Sequence, residues 1–429
     1  MKKIYTLWML IITQGLSLIG SRMTSMALAL WIFKNTGNTT YLLLVPFFNE
    51  IPMMLFGGIA GIFVDRWSRK KAMILGDFGQ FLGSLILLIT LALGGFRISI
   101  LYFVVFMQGF FSMFQGPAAD AATTMLTPKE YREKINGVKQ MIFPLAGIMA
   151  PAFTGFLYPL VGLVGIIVID MMTFLISVAV LFKISIPDPA KEEQEEGKQE
   201  GFLEEFKIGL KYLVNQKGLM SLILYYSFIN FLLNGPLDLV IAYSTRLFNE
   251  DLFTSMLMSV MSIGAFSGAL LLSLWGGTKT RIHTIMIGML ITGGFLIIFG
   301  ITRAKVLLFI ALFILMMPLP ITGALITSIV QVKIPPYMQG RVFALMSQLS
   351  FVATPVSFFI TGPIVDKILE PNVGKGWWKV LEPMFGVQPG AGMGFLLSFT
   401  GLIIITATII AYSNPRVRRL EKETKDYEI

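Results

Sequence analysis

Arg22 and Glu50 interrupt the first two long apolar stretches of this sequence, and their chemistry suits the handling of protons or cations. If the two stretches cross a membrane in opposite directions, Arg22 and Glu50 lie at similar depths in it. A charge at the centre of a bilayer costs at least about 2.5–3.5 kcal/mol, so such a residue faces protein or a wet cavity. We expect Arg22 and Glu50 to pair, with a proton or a cationic substrate competing with Arg22 for Glu50. A structural ion pair without a transport role is the alternative.

A second group of polar residues lies in the seventh apolar stretch. Asn230, Asn234 and Asp238 are spaced four residues apart, which places all three on one stripe of a helix. This stripe predicts the lining of a cavity. A hydrogen-bonded seam between two helices is the other interpretation of the same spacing.

Three further aspartates fall within apolar stretches. Asp77 and Asp120 lie towards the ends of the third and fourth stretches, where we expect structural hydrogen bonds rather than contact with a substrate. Asp170 lies in the sixth stretch, and we assign it to structure as well.

Several classes of chemistry lack their residues. The chain has no cysteine and one histidine, His283, so it has neither a thiol nucleophile nor a cysteine or histidine metal site. No Gly-x-x-x-x-Gly-Lys-Ser/Thr loop is present to bind ATP phosphates. We therefore expect a protein that is not an enzyme and needs no cofactor or metal. A membrane-embedded acyltransferase or protease is the alternative from another class.

These residues are positioned by apolar helices. The 429 residues are 55% hydrophobic and 14% charged, with a mean hydropathy of +0.75, whereas a soluble domain is roughly 25% charged. The apolar stretches are about 20 residues or longer, enough to cross a bilayer. The sequence predicts an all-α membrane protein with twelve transmembrane helices, at 7–33, 40–64, 71–94, 98–126, 136–160, 162–183, 218–246, 253–276, 282–302, 304–330, 341–368 and 390–413.

The basic residues indicate the orientation of these helices. With the amino terminus inside, the inner segments contain 25 Lys and Arg and the outer segments contain 8. Basic residues accumulate on the cytoplasmic side of membrane proteins, so both termini are predicted to be cytoplasmic. The net charge of +9 therefore has a topological explanation and does not indicate a nucleic-acid partner. Trp377 and Trp378, in the outer segment 370–389, are predicted to be interfacial anchors.

A charged segment rich in glutamate separates two halves of the chain. We predict an amino-terminal six-helix bundle at 1–185, a cytoplasmic linker with an amphipathic helix at 186–217, and a carboxy-terminal six-helix bundle with a basic tail at 218–429. A weak repeat supports the division, because Tyr131 and Tyr337 follow the fourth helix of each half at matching places. Two pseudo-symmetric bundles around a central cavity follow from that symmetry.

The loop between the second and third helices is the most specific motif. Its sequence, Gly-Ile-Phe-Val-Asp-Arg-Trp-Ser-Arg-Lys-Lys at 61–71, resembles the signature loop of the major facilitator superfamily, with serine in place of the second glycine. The resemblance implies the major facilitator fold and a cytoplasmic latch that closes when the cavity opens outward. The residues matching this gate motif are Gly61, Asp65, Arg66, Arg69 and Lys70, with Arg341 before the eleventh helix. A purely topological basic cluster is the alternative.

The fifth helix carries a second family motif. Gly147, Pro151 and Gly155 resemble the antiporter motif, whose small residues let helices pack closely, and Ala150 stands where glycine is usual. Exporters carry this motif more often than importers, so the resemblance implies efflux. Gln108 occupies the place of an arginine that the family often uses in proton coupling. Proton coupling, if present, is then expected to use other residues.

The whole chain most resembles the macrolide-efflux and siderophore-export branch of the superfamily. That branch implies a secondary active exporter of a hydrophobic or amphipathic small molecule, such as a macrolide-like drug, a siderophore or a secondary metabolite. We expect alternating access, protons or Na⁺ as the coupling ion, and a role in multidrug resistance. The protein is expected to act as a monomer in the lipid bilayer of a bacterial inner or plasma membrane. A lipid or lysophospholipid transporter is the alternative within transport.

Overall fold

The computed structural model describes residues 2–66, 68–128, 131–184, 186, 202–278, 280–423 and 427. In this part of the chain every regular element is a helix. The all-α prediction is therefore confirmed, and the helices have the length and apolar composition that crossing a membrane requires.

The first six long helices follow one another with short connections. They are α1 Lys2–Thr36, α2 Thr39–Arg66, α3 Arg69–Ala92, α4 Ile98–Leu126, and a helical stretch Arg132–Lys183 that contains α5 and α6. This stretch breaks at Gly162, whose φ of 65° lies in the left-handed region that favours glycine. The break defines α5 as 132–161 and α6 as 163–183, and it falls where the sequence predicted the end of the fifth helix.

The remaining helices begin with the predicted amphipathic one, α7 Phe202–Asn215. They continue with α8 Lys217–Phe248, α9 Asp251–Trp275, α10 Arg281–Ile301, α11 Lys305–Lys333, α12 Pro336–Pro363 and α13 Ala391–Ser413. Eleven described stretches are long and apolar enough to cross a membrane, and one of them, Gly137–Lys183, contains both α5 and α6. The count of twelve transmembrane helices is therefore confirmed.

The chain forms two compact units. Unit 1 comprises Met1–Gly197 and Glu250–Ser259, and unit 2 comprises Lys198–Asn249 and Val260–Ile429. The first residues of α9 thus belong to unit 1.

Glycines set the helix spacing inside unit 2. A side chain at Gly293 of α10 would lie 2.8 Å from the carbonyl oxygen of Gly401 in α13, and one at Gly401 would lie 2.5 Å from the carbonyl oxygen of Gly293. Gly300 and Gly394 meet in the same way seven residues further along. The two helices are therefore in backbone contact, a packing that small residues permit in membranes, where no hydrophobic effect drives helices together.

The segment before α13, which the sequence predicts to lie outside, is folded. Trp378 is 0% exposed and packs with Phe385 and Ala391, and its indole nitrogen donates to the carbonyl oxygen of Gly386 at 2.8 Å. The Arg303 guanidinium donates to the carbonyl oxygen of Phe385 at 3.0 Å and ties this segment to the end of α10. Trp378 is thus the core of a small folded cap rather than the interfacial anchor that the sequence predicted, whereas Trp377 is about half exposed.

Candidate functional site

A cavity of about 470 Å³ lies within unit 1. Its walls come from the first five helices. Four side-chain amides line it, from Gln14 of α1, Asn49 of α2, Gln80 of α3 and Gln115 of α4. Leu10, Leu18, Ile142 and Phe143 supply apolar surface. A wall of amides and hydrocarbon suits an uncharged or amphipathic organic molecule, because amides donate and accept hydrogen bonds without the desolvation cost of a charge.

Asp120 and Lys139 line the same cavity and neutralise each other. Their side chains lie 2.5 Å apart, and the Asp120 side chain is 72% exposed. A solvent-exposed ion pair contributes at most about 1 kcal/mol to stability. This pair therefore adds no net charge to the cavity wall.

Arg22 does not pair with Glu50. Among the described residues the Arg22 guanidinium lies over the Phe143 ring, 4.7 Å from its centroid, and no ion pair with Glu50 forms. Depth in the membrane was the only basis for the expected pairing, and depth does not determine which way a side chain points around its helix. Arg22 instead contacts a ring that lines the cavity, an arrangement that stabilises a partly desolvated cation.

Asp77 is the centre of the first of two buried polar layers. Its side chain is fully buried. Gln115 donates to Oδ1 at 2.7 Å, Ser177 of α6 donates to Oδ2 at 2.7 Å, and Gln14 donates to Oδ2 at 3.3 Å. The two amides are also joined, since Gln115 Nε2 donates to Gln14 Oε1 at 2.6 Å. We call Gln14, Asp77, Gln115 and Ser177 the Asp77 layer.

A second layer surrounds Asp170 of α6, which is 1% exposed. Ser21 donates to Oδ1 at 3.3 Å, and Ser84 donates to Oδ2 at 3.4 Å. Gln108 donates to Ser84 Oγ and to the carbonyl oxygen of Gln80, both at 3.2 Å. Gln108, which the sequence resemblance aligns with the family's arginine, thus helps to build a polar layer. We call Ser21, Ser84, Gln108 and Asp170 the Asp170 layer.

The two layers repeat along four helices with the same spacing. Each of α1, α3, α4 and α6 contributes one residue to each layer, and the two residues are seven positions apart: Gln14 and Ser21, Asp77 and Ser84, Gln108 and Gln115, Asp170 and Ser177. Seven residues are two helical turns, so the layers lie about 10 Å apart. This spacing was visible in the sequence, but only the packing shows that the four pairs share two layers.

The signature loop is described only in part. The side chains of 58–67, which include Gly61, Asp65 and Arg66, and that of Arg341 lie outside the described residues. Arg69 begins α3 and is partly buried. Lys70 makes two hydrogen bonds: its ammonium donates to the carbonyl oxygens of Phe182 at 3.1 Å and Ile184 at 2.8 Å.

Lys70 therefore caps the end of α6, where free carbonyl groups concentrate negative charge. We expect Lys70→Met to lower the free energy of unfolding by about 1–3 kcal/mol, because two charge-assisted hydrogen bonds are lost. Thermal unfolding of the purified protein in detergent measures this as a fall in midpoint. Lys71→Met is the matched control, since Lys71 is exposed and adjacent. Equal midpoints for the two variants would contradict the capping role.

The antiporter-like motif of α5 packs against the start of α9. A side chain at Gly155 would lie 2.6 Å from the Cβ of Ser255. Ser259 Oγ donates to the carbonyl oxygen of Ile148 at 3.0 Å. Gly147 and Pro151 are buried on the same helix. The motif thus lies at a close helix contact within unit 1, as its small residues predict.

The polar stripe of α8 does not act as one surface. Asn230 donates to its own helix at Tyr226, whereas Asn234 donates to Thr354 of α12 at 2.9 Å. The backbone amide of Gly235 donates to Ser357 of α12 at 2.8 Å. Asn234 therefore belongs to a seam between two helices, the second interpretation of the spacing. Asp238 lies one turn further along and is partly buried.

The twelve apolar helices and the cavity lined by amides and apolar side chains in unit 1 are those of a polytopic membrane transporter. The chain belongs to the Major Facilitator Superfamily, whose family model matches residues 10–368. It is a multi-pass membrane protein of a transporter family and not an enzyme.

Among its relatives are proteins named for drug efflux. The chain is 28% identical over 428 residues to macrolide efflux protein A of Streptococcus pyogenes, covering 98% of this chain and 97% of that protein. It is 29% identical over 315 residues to macrolide efflux protein A of Enterococcus faecalis, covering 71% of this chain and 95% of that one. A bacterial homologue of the human lysosomal transporter Spinster, solved in an inward-facing, unoccupied conformation, has the same fold, with a TM-score of 0.74, 15% identity and coverage of 99% and 98% of the two chains.

Proposed function

We propose that this protein exports a hydrophobic or amphipathic small molecule of macrolide-like size and chemistry by alternating access, in exchange for protons. The likeness over the whole chain to macrolide efflux protein A carries this proposal. The cavity in unit 1 supports it, because its walls combine four amides with apolar side chains and a neutralised ion pair. Such a surface binds a large polyhydroxylated ring through hydrogen bonds and apolar contact.

The remaining parts of the proposal follow from sequence motifs. Asp65, Arg66 and Arg69 form the latch that closes one face of the membrane, with Arg341 as its counterpart in the second half. Both termini lie in the cytoplasm, and the close contact at Gly155 suits a helix interface that slides or tilts during transport.

Expression in a pump-deficient bacterium tests the proposed export. We expect the wild-type protein to raise the minimum inhibitory concentration of macrolides severalfold over the empty vector. Asp65→Asn removes the carboxylate of the latch and is expected to reduce resistance to the vector level, with the protein still present in the membrane by immunoblot. Unchanged susceptibility to every macrolide, with wild-type protein present, would contradict macrolide export. A labelled-lipid flipping assay in liposomes then tests the lipid alternative.

A further inference from the structure

Asp77 is a buried carboxylate without a cationic partner. Only three charged residues are fully buried among the described side chains: Asp77, Asp170 and Lys333. The groups that face Asp77 from α1, α4 and α6 are Gln14, Gln115 and Ser177, all of them neutral and none titratable. The charged groups that line the cavity, Asp120 and Lys139, pair with each other. A buried charge without a counterion is costly even when hydrogen-bonded.

The Asp77 layer also borders the cavity. Gln14 and Gln115 both line the cavity wall and both donate to Asp77. Asp77 itself does not line the cavity, so the side chains of Gln14 and Gln115 separate its carboxylate from the cavity. A molecule in the cavity that contacts either amide therefore acts on Asp77 through one hydrogen bond.

The direction of that effect follows from the orientation of Gln115. Its Nε2 donates to both Asp77 and Gln14, and within the described part of the chain its Oε1 accepts no hydrogen bond. An amide whose oxygen accepts a hydrogen bond becomes a stronger donor at its nitrogen, because hydrogen bonds in a chain polarise one another. A substrate hydroxyl that donates to Gln115 Oε1 thus strengthens the donor that stabilises the ionised form of Asp77.

Resting on the proposed export function, we propose that Asp77 is the proton-exchange site of this transporter and that Gln115 links it to substrate in the cavity. When the cavity is empty, Asp77 holds one proton on Oδ2, and the Ser177 hydroxyl, 2.7 Å away, turns to accept a hydrogen bond from it. Binding of a substrate that bears hydroxyl groups releases that proton to the water of the cavity. When the substrate leaves, a proton binds to Asp77 again. Substrate and proton then occupy the protein in turn, which is the linkage that antiport requires.

The layer favours a proton over Na⁺. Sodium is held by several oxygen ligands that point at the ion. In the Asp77 layer the N–H groups of Gln14 and Gln115 and the hydroxyl of Ser177 point at the carboxylate instead. Donors in that position repel a metal cation, whereas a proton needs only one carboxylate oxygen.

Transport by the purified protein in liposomes tests this assignment, with erythromycin as the probe. Counterflow without a gradient measures translocation alone, and accumulation driven by a pH gradient measures coupling. We expect Asp77→Asn to keep counterflow and to lose about tenfold or more of the gradient-driven accumulation. Glu382→Gln, which changes an exposed carboxylate outside the cavity, is the control and is expected to keep both. Absence of counterflow in the wild type would instead contradict the proposed export of macrolides.

Three results would overturn the assignment. Asp77→Asn could retain gradient-driven accumulation, Glu50→Gln could abolish coupling while Asp77→Asn does not, or a Na⁺ gradient could replace the pH gradient in the wild type.

If Asp77→Asn does not fold, a measurement of proton release on substrate binding tests the assignment instead. Adding erythromycin to the wild type in weak buffer is expected to release protons, and Gln115→Met, which lacks the amide, is expected to release fewer. Equal release by both, or none by the wild type, would contradict the linkage.

Discussion

Replacing Gly300 with leucine is expected to abolish the accumulation of folded transporter. Gly300 of α10 meets the carbonyl oxygen of Gly394 in α13, and a side chain at either position would collide with the backbone of the other helix. A flexible side chain can move aside, but a backbone carbonyl inside a helix cannot do so without separating the two helices. We expect a cost of more than about 3 kcal/mol, at the upper end of overpacking in a core.

The same helix offers the control for this prediction. Gly294 has no atom within 4 Å of the position that a Cβ would occupy, so Gly294→Leu adds the same side chain where space is open. Both substitutions replace a helical glycine and favour the helix itself. Fluorescence-detected size-exclusion chromatography of detergent extracts compares them. A monodisperse peak for Gly300→Leu equal to that of Gly294→Leu would show that α10 and α13 are not packed backbone to backbone.

The fold was largely predictable because hydropathy alone determines most of it. A lipid solvent leaves only helices or closed barrels as spanning structures, so the apolar stretches yielded twelve helices in nearly the observed places. The break at Gly162 was predicted as well, because one apolar stretch of about 50 residues is too long for a single crossing. The buried Trp378 was not predictable, since an outer segment rich in tryptophan, proline and glycine has the composition of an interfacial loop.

The polar site was less predictable, because it depends on how the helices are rotated about their axes. Asp77 and Asp170 were assigned to structure from their positions along the helices, and their shared layers appear only when four helices are packed. The pairing of Arg22 with Glu50 came from depth alone and does not occur among the described contacts. Spacing within one helix predicts a stripe, but the partner of that stripe is a property of the fold.

The two units differ in their buried carboxylates. Unit 1 carries both fully buried aspartates, whereas among its described side chains unit 2 has no fully buried carboxylate. In unit 2 the contact between α10 and α13 includes four glycines. In unit 1, α3 and α6 meet through Asp77, Ser84, Asp170 and Ser177. The proposed proton exchange therefore lies in unit 1, whereas unit 2 contains a closely packed helix pair.

Filling the cavity is expected to have the largest effect on transport itself. Gly116 of α4 lines the cavity and has no atom within 4 Å of the position of a Cβ. Gly116→Trp therefore attaches an indole at an open position on the wall of a cavity of about 470 Å³. Because the substrate needs the same space, we expect Gly116→Trp to reduce macrolide resistance to near the level of the empty vector.

The size of the new side chain, and not the loss of glycine, should cause this effect. Gly116→Ala removes the same glycine and adds one methyl group to open space, so it is expected to keep wild-type resistance, and both variants gain helix propensity. Minimum inhibitory concentrations, corrected for the amount of protein in the membrane, compare the two. If Gly116→Trp confers full resistance at wild-type abundance, the substrate does not pass through the cavity of unit 1. If Gly116→Ala also loses resistance, the glycine is required for a motion of α4, and the indole is not acting by occupying space.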